Sequence, residues 1–435
     1  METAMLAGLV LFLVFFVFLF IGVPISVSIA VSSFVAALFI MPADSSLIVT
    51  SQQIITGIDS FVLLALVFFM LAGSIMNNGG IAQRLIHLAK LIGGRMSGSL
   101  AHTNVIGNML FGAISGSAIA SAATMGKIMS PLQKKEGYDP AYSAAVNIAS
   151  APTGLVIPPS GIPILYSLLS GGTSIGALFL AGYLPGFMMA LLVLIVAYAI
   201  AKKEKYPVAD PVHWKEGLKT VWEAIPSLLL VVVVIGGIAM GIFTATEGAA
   251  IAVFYALVLS LIYRSLNWSD IPKILKDTVV FSGMILLLVG ASTVMSWILA
   301  YARIPQTVTH ALLSVSDNNH VILLIMVGLL LLVGTFMDIA PALLIFTPIL
   351  FPIAMQLGLD PVHFGMIMTM SLAIGVTTPP IGTVLFIGSS VSGVSIERII
   401  RSLLIFYIPL VAGLLLVAFI PEISLSIPKM LGLLD

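Results

Sequence analysis

The 435-residue sequence contains no cysteine. That absence removes disulfides, iron–sulfur clusters, thiolate-bound zinc and cysteine nucleophiles together, and leaves oxygen and nitrogen chemistry. Charge is scarce as well: 8% of residues are Asp, Glu, Lys or Arg, against about 25% in an average soluble domain. The 18 basic and 18 acidic residues cancel, so the chain has neither a basic face for nucleic acid nor an acidic tail. With 60% of residues apolar and a mean hydropathy of +1.19, too little polar surface remains to cover a water-soluble core. The solvent is a lipid bilayer. Met1-Glu2-Thr3 leads into an apolar run without the basic n-region or small-residue cleavage site of a secretory signal, so that run is expected to stay as a membrane span.

Apolar stretches of the roughly 20 residues that a spanning helix needs lie at about 5–22, 24–41, 60–78, 175–201, 222–243, 249–263, 278–299 and 403–420. Between them are apolar segments broken by Gly, Pro, Ser and Asn, a composition suited to re-entrant or interrupted helices. The longest polar stretch, 202–219, reads as a cytoplasmic linker between two halves. Residues 130–200 match 351–421 at a constant offset of 221, with pairs such as Pro131/Pro352, Asp139/Asp360, Gly154/Gly375, Pro159/Pro380 and Gly161/Gly382. Matches concentrated in Gly, Pro and Asp are not what two unrelated apolar helices share.

Basic residues orient the halves, because cytoplasmic loops are enriched in Lys and Arg. Lys127, Lys134 and Lys135 precede the Asp139-Pro140 corner, whereas the stretch before Asp360-Pro361 has none; Arg398 and Arg401 follow Gly393, while their counterparts Ala177 and Leu180 are uncharged. This predicts an all-α polytopic membrane protein of two inverted-topology repeats, 1–201 and 220–435, with both termini outside the cytoplasm. The first repeat is read as spans, an amphipathic arm at about 81–97, a re-entrant hairpin at about 100–126 and an interrupted helix at about 139–171. In the second, the arm falls at about 300–316, the hairpin at about 320–347 and the interrupted helix at about 360–392.

Chemistry is expected at the breaks. Gly154-Leu155-Val156-Ile157-Pro158-Pro159 and Gly375-Val376-Thr377-Thr378-Pro379-Pro380 each stop a helix in mid-membrane, because Pro lacks a backbone donor and restricts the residue before it. The freed carbonyls need a partner, and at broken helices in inverted repeats that partner is a coupling cation; a plain proline kink is the competing account. The hairpin tips should face these breaks, with one turn at Ser115-Gly116-Ser117, where small residues also serve close packing. Asp338 is the only acidic residue between Asp317 and Asp360, and an ionised carboxylate at membrane depth is costly unless paired or facing a cation; a hydrogen-bonded or protonated Asp338 is the alternative. Glu247 is expected to cap the helix that follows it. Asn108, Asn147, Ser150 and Ser371 are weak candidates for a polar substrate path, with interhelical hydrogen bonding equally open to the asparagines. His102 and His363 lack metal-ligand spacing, and Gly126-Lys127 does not complete a phosphate-binding loop, so no ATP hydrolysis is expected.

At Gly116-Ser117-Ala118, Thr244-Ala245-Thr246-Glu247 and the paired Gly-x-x-x-Pro motifs, the sequence resembles, over essentially its whole length, the large membrane (M) subunit of tripartite ATP-independent periplasmic (TRAP) transporters. It departs from that family's pattern at Ala245, where Pro is usual, and at Ser121, where many members carry an acid. The resemblance implies sodium-coupled import of a small carboxylate-bearing solute, sialic acid or a C4-dicarboxylate, across the bacterial inner membrane by an elevator mechanism. It also implies a small four-helix membrane subunit (Q-type) and a periplasmic solute-binding protein (P-type), with both termini periplasmic. Carried onto this chain, one Na+ site takes Ser115, Ser117, Gly154, Ile157 and Pro159, and a second takes Thr335, Asp338, Gly375, Thr378 and Pro380; no transition metal or covalent cofactor is implied. The rival classes are a passive channel or proton-translocating subunit, which needs a relay of ionisable groups the spans lack, and an intramembrane hydrolase using Ser115 or Ser117 with His102, which lacks a nucleophile elbow.

Overall fold

A computed structural model of the chain describes residues 2–209, 213–316 and 318–434; residues 210–212 of the linker expected at 202–219, and Met1 and Asp435 at the ends of the expected repeats, lie outside that range. All regular structure among the described residues is helical. The first repeat comprises α1 (Glu2–Ile21), α2 (Ile25–Leu38), α3 (Ala43–Ile58), α4 (Phe61–Asn78), α5 (Ile81–Gly93), α6 (Ser99–Ser115), α7 (Ala118–Lys135), α8 (Pro140–Ser150), α9 (Thr153–Val156), α10 (Gly161–Leu169), α11 (Ile175–Ala181) and α12 (Tyr183–Lys203). The second comprises α13 (Trp214–Ala239), α14 (Ala245–Ile262), α15 (Ile271–Tyr301), α16 (Ile304–Val315), α17 (Asn319–Phe336), α18 (Ile339–Gln356), α19 (Pro361–Gly375), α20 (Thr383–Ser392), α21 (Ile396–Phe419) and α22 (Glu422–Met430). Eight helices among the described residues are long and apolar enough to cross a membrane, and the bent pair Pro140–Val156 with Gly161–Leu169, turned by 52°, adds a ninth candidate.

The offset seen in the sequence governs the fold. Displacing α7 by 221 residues gives the bounds of α18, and the same displacement carries the starts of α8 and α11 onto those of α19 and α21. Local chemistry explains the shared starts: Asp139 and Asp360 each accept a backbone N–H of the helix they precede, and each is followed by Pro at the first helical position, where its missing donor costs nothing. Glu247 closes a capping box at the start of α14, its carboxylate accepting the Thr244 N–H at 2.8 Å.

The repeats are inverted and interleaved. The start of α19 meets the end of α10, where the Tyr166 hydroxyl donates to the Pro361 carbonyl at 2.7 Å; at the other end of the interrupted helices, Arg398 pairs with Asp139. The two interrupted helices therefore run in opposite directions. α4 packs on α14 and α15 on α2 and α3, forming one group, while α20 packs on α7, α10 on α18 and α21 on α8, forming another. Every residue from Ala141 to Ser160 and from Val362 to Thr377 is buried, so the interrupted helices form the centre of the second group.

Candidate functional site

Each hairpin rests on the break of its own repeat through a pair of glycines. A Cβ on Gly154 would stand 2.2 Å from the Gly112 Cα, and one on Gly375 would stand 2.6 Å from the Gly334 Cα, separations no side chain tolerates. This approach holds α6 against α9 and α17 against α19. Beyond the glycines the helices stop. Among the described residues, the carbonyls of Ile157, Pro158 and Pro159, and of their counterparts Thr378, Pro379 and Pro380, accept no hydrogen bond. Ile157, Pro158 and Pro159 are buried, Thr378 and Pro379 half-buried and Pro380 exposed; a buried carbonyl without a donor is incomplete, and a hard cation is satisfied by oxygen ligands of this kind.

The second break is tied down more fully. The Thr335 carbonyl accepts the N–H groups of Ile381 at 3.2 Å and Gly382 at 3.0 Å, and the Tyr407 hydroxyl donates to the Thr377 carbonyl at 2.5 Å. The Thr335 and Thr378 hydroxyls donate within their own helices, to Leu332 at 2.7 Å and Ile374 at 2.9 Å, and keep their oxygen lone pairs. Ties of this kind reach no residue from Ile157 to Pro159 through its carbonyl.

The tips themselves share one position. Gly116, at φ +61°, supplies the left-handed turn between α6 and α7. Ser117 then caps α7 by accepting the Ala120 N–H at 3.2 Å, and Asp338, 221 residues on, caps α18 by accepting the Ile339 N–H at 2.9 Å. Both tips open onto one cavity of about 340 Å³. Ser115, Ser117 and Pro159 line it together with Asp338, whereas Gly154, Ile157, Thr335, Gly375, Thr378 and Pro380 do not. Ile157 packs under α12, where a Cβ on Gly186 would meet its Cγ1 at 2.3 Å. Asp338 thus stands with the first hairpin tip on the cavity wall.

The polar candidates for a substrate path lie elsewhere. The Asn108 side-chain amide nitrogen donates into a ring of Asn104, Asn147 and Ser150 oxygens at 2.8–3.2 Å, and the Ser121 hydroxyl donates to the Asn108 Oδ1 at 2.7 Å. All five residues are buried and none lines the cavity; the network fastens the hairpin to α8. Ser371 donates to Ile367 within α19 at 2.7 Å. The opposite wall carries polar residues that sequence reasoning missed: Ser74 and Asn77 on α4, and Asp277 and Thr278 on α15. Their signal was present as polar residues at the ends of otherwise apolar spans.

The hydrolase arrangement is absent. The His102 ring Nε2–H donates to the Ser97 carbonyl, 2.9 Å away, near the start of α6; Ser115 ends that helix, which at 1.5 Å per residue places them about 20 Å apart.

Comparison with known proteins agrees with this architecture. Residues 12–423 match the family described as the tripartite ATP-independent periplasmic transporter, DctM component. An uncharacterized protein, YgiK, of Salmonella typhimurium is 53% identical over 399 residues, covering 92% of each chain. The sialic acid TRAP transporter large permease protein SiaM of Vibrio cholerae is 38% identical over 399 residues, covering 91% of this chain and 93% of that protein. Among solved structures, the YdaH transporter of Alcanivorax borkumensis, described as having an unusual topology, superposes with a TM-score of 0.60 at 14% identity, covering 86% of this chain and 88% of that one; this likeness concerns the fold alone. The matched family consists of transporter permeases and not of enzymes. The chain is a member of the DctM family, the large permease component of tripartite ATP-independent periplasmic transporters.

Proposed function

We propose that the chain carries out sodium-coupled import of a small carboxylate-bearing solute across the bacterial inner membrane, with the hairpins and interrupted helices moving as one body against the α2–α4 and α13–α15 scaffold. The observation that carries this reading is the meeting of both hairpin tips at one cavity, each tip beside a helix break with three carbonyls that accept no hydrogen bond. Sodium takes these carbonyls with the Ser115 and Ser117 hydroxyls at the first break, and with the Thr335 and Thr378 oxygens and the Asp338 carboxylate at the second. The broken helices supply oxygen ligands for the ion, as in other inverted-repeat transporters.

Acidic solutes follow from the name of the Vibrio relative. A tripartite assembly follows from the family description, and implies a small Q-type membrane subunit and a P-type periplasmic binding protein that delivers the solute. Both termini then lie in the periplasm, and the cavity, whose lining includes the exposed Asn77 and Asp277, faces the cytoplasm. The test is uptake into proteoliposomes holding the reconstituted assembly. An imposed inward sodium gradient should drive accumulation above equilibrium, and collapse of that gradient should abolish it; accumulation that ignores sodium would overturn the reading.

A further inference from the structure

The corner where α4 turns into α5 holds two arginines that pair with no acid among the described residues. The Arg84 guanidinium carbon lies 3.4 Å from the centre of the Tyr263 ring, and its Nη1 donates to the Gly80 carbonyl at 3.1 Å. Its Nε is buried and has no hydrogen-bond partner among the described residues. The Ser265 hydroxyl donates to the Gly79 carbonyl, which draws the end of α14 over this corner. A Cβ on Gly80 would stand 3.0 Å from the Ser265 Cβ and 3.4 Å from the Arg84 Nη1. Between Tyr263 and Ser265 stands Arg264, exposed. The acids nearby are engaged elsewhere: Glu223, whose carbonyl accepts the Tyr263 hydroxyl, pairs with Lys219 at 3.8 Å, and Asp270 accepts the Asn267 N–H at 3.1 Å.

We infer that this corner seats the headgroup of an anionic phospholipid, with its phosphate between Arg84 and Arg264. A buried cationic nitrogen without an acceptor is incomplete, and a guanidinium meets phosphate oxygens in a planar fork. What surrounds the arginines makes the occupant a lipid. Leu261 and Ile262, just before Tyr263, are exposed apolar side chains, and Trp222 and Trp268 are exposed as well; tryptophans gather at the level of the headgroups. α5 lies along that level, with Ile81, Leu85 and Leu88 buried beneath it and Gln83, His87 and Lys90 exposed, the pattern of an interfacial helix. A headgroup held here lets its acyl chains continue over Leu261 and Ile262, contacts that a free phosphate ion does not make. The equivalent positions in the inverted repeat, Pro305 and Ala43, are uncharged, so the arginine pair serves one leaflet only. It is the leaflet beside the Lys-rich linker, whose Ala209 N–H donates to the Gly94 carbonyl, just past α5, at 3.1 Å. The site is independent of the solute and of the coupling ion.

Native mass spectrometry of the full chain, released from vesicles of equimolar phosphatidylglycerol and phosphatidylcholine, counts the lipid each variant retains. Wild type should keep phosphatidylglycerol over phosphatidylcholine by about tenfold or more. Arg84→Gln with Arg264→Gln should cut that preference below threefold. Lys273→Gln with Lys276→Gln, two exposed lysines at the start of α15, should leave it within twofold of wild type. Arg264→Gln alone alters an exposed side chain and spares the stack of Arg84 on Tyr263, so it tests the site even where the double variant does not fold; it should cut the preference at least twofold. No preference in wild type, an unchanged preference in Arg264→Gln, or equal losses in the lysine and arginine pairs would overturn the inference, the last by showing only the general attraction of basic loops for anionic lipid. Added inorganic phosphate should leave retention unchanged; displacement of phosphatidylglycerol by phosphate would identify a free-anion site and overturn the inference as well.

Discussion

Arg398 Nη2 lies 2.7 Å from Asp139 Oδ1, joining the start of α21 in one repeat to the start of α8 in the other. Asp139 is used three ways at once: its second carboxylate oxygen caps α8 through the Tyr142 N–H at 3.1 Å, and its own N–H donates to the Tyr206 hydroxyl at 3.0 Å. The equivalent corner in the second repeat has Asp360 but faces Tyr166 instead of an arginine. Among the described residues, one end of the core therefore carries an ion pair and the other does not, in keeping with the opposed Lys and Arg distribution of the two repeats.

The inversion predicts opposite accessibility for two equivalent loops. A single cysteine at Lys135 should react with a membrane-impermeant maleimide only from the cytoplasm, and one at Leu357 only from the periplasm. Labelling of both from the same side would contradict the antiparallel arrangement of the interrupted helices.

The ion pair itself should contribute little to stability. The Arg398 and Asp139 side chains are 62% and 40% exposed, and exposed pairs contribute about 0–1 kcal/mol. Arg398→Ala should therefore cost less than ~1 kcal/mol. Asp139→Ala also removes a helix cap, worth about 0.5–2 kcal/mol, and should cost more. Thermal melting of the purified variants orders the two.

The glycine contacts predict a sharper contrast. Gly154→Ala and Gly375→Ala drive a methyl group into the Gly112 and Gly334 backbones, which should destabilise by about 1–3 kcal/mol or more. Gly283→Ala meets nothing within 4 Å at an exposed position inside α15, and should stabilise by about 0.4–1 kcal/mol. Melting temperatures moving the same way for all three would contradict the packing described.

A buried network behaves differently from a surface amide. Asn108→Ala removes a side chain that serves Asn104, Asn147, Ser150 and Ser121 and leaves their buried oxygens and hydroxyl short of partners, a loss of ~3 kcal/mol or more. Asn78→Ala removes one exposed bond to Ser74 and should stay within about 0.5 kcal/mol. Comparable melting shifts for the two would refute the network's role.

How far the sequence carried this account depends on the kind of residue. Gly, Pro and Asp mark backbone events that repeat at a fixed spacing, so the breaks, the Gly116 turn and the matched Asp139-Pro140 and Asp360-Pro361 corners were legible directly, whereas the capping role of each Asp was not. α3 was not. Its Ser, Thr and Gln content reads as a loop between spans, yet it folds as a helix against α15; in the second repeat the equivalent stretch is continuous with the next span, giving the 31-residue α15. The cavity wall was also hidden, because Ser74, Asn77 and Asp277 acquire meaning only when α4 and α15 are brought opposite the tips, and no local pattern encodes that meeting. Asn108 and Asn147 were visible as polar residues in apolar helices, with interhelical hydrogen bonding one of the two readings open to them; which partners they take, a matter of helix rotation, was not.

The most direct test is the sodium dependence of initial uptake by reconstituted wild-type and Asp338→Asn transporters, measured at matched protein content. Asn is as good a helix cap as Asp, so α18 should start where it does now and assembly should be unaffected. What Asn lacks is the charge, whose attraction for a cation in a poorly solvated site is several times its value in water. The account predicts a sodium requirement raised by tenfold or more, with little uptake at ordinary sodium. A sodium dependence unchanged from wild type would contradict it, and would leave Asp338 as a helix cap alone.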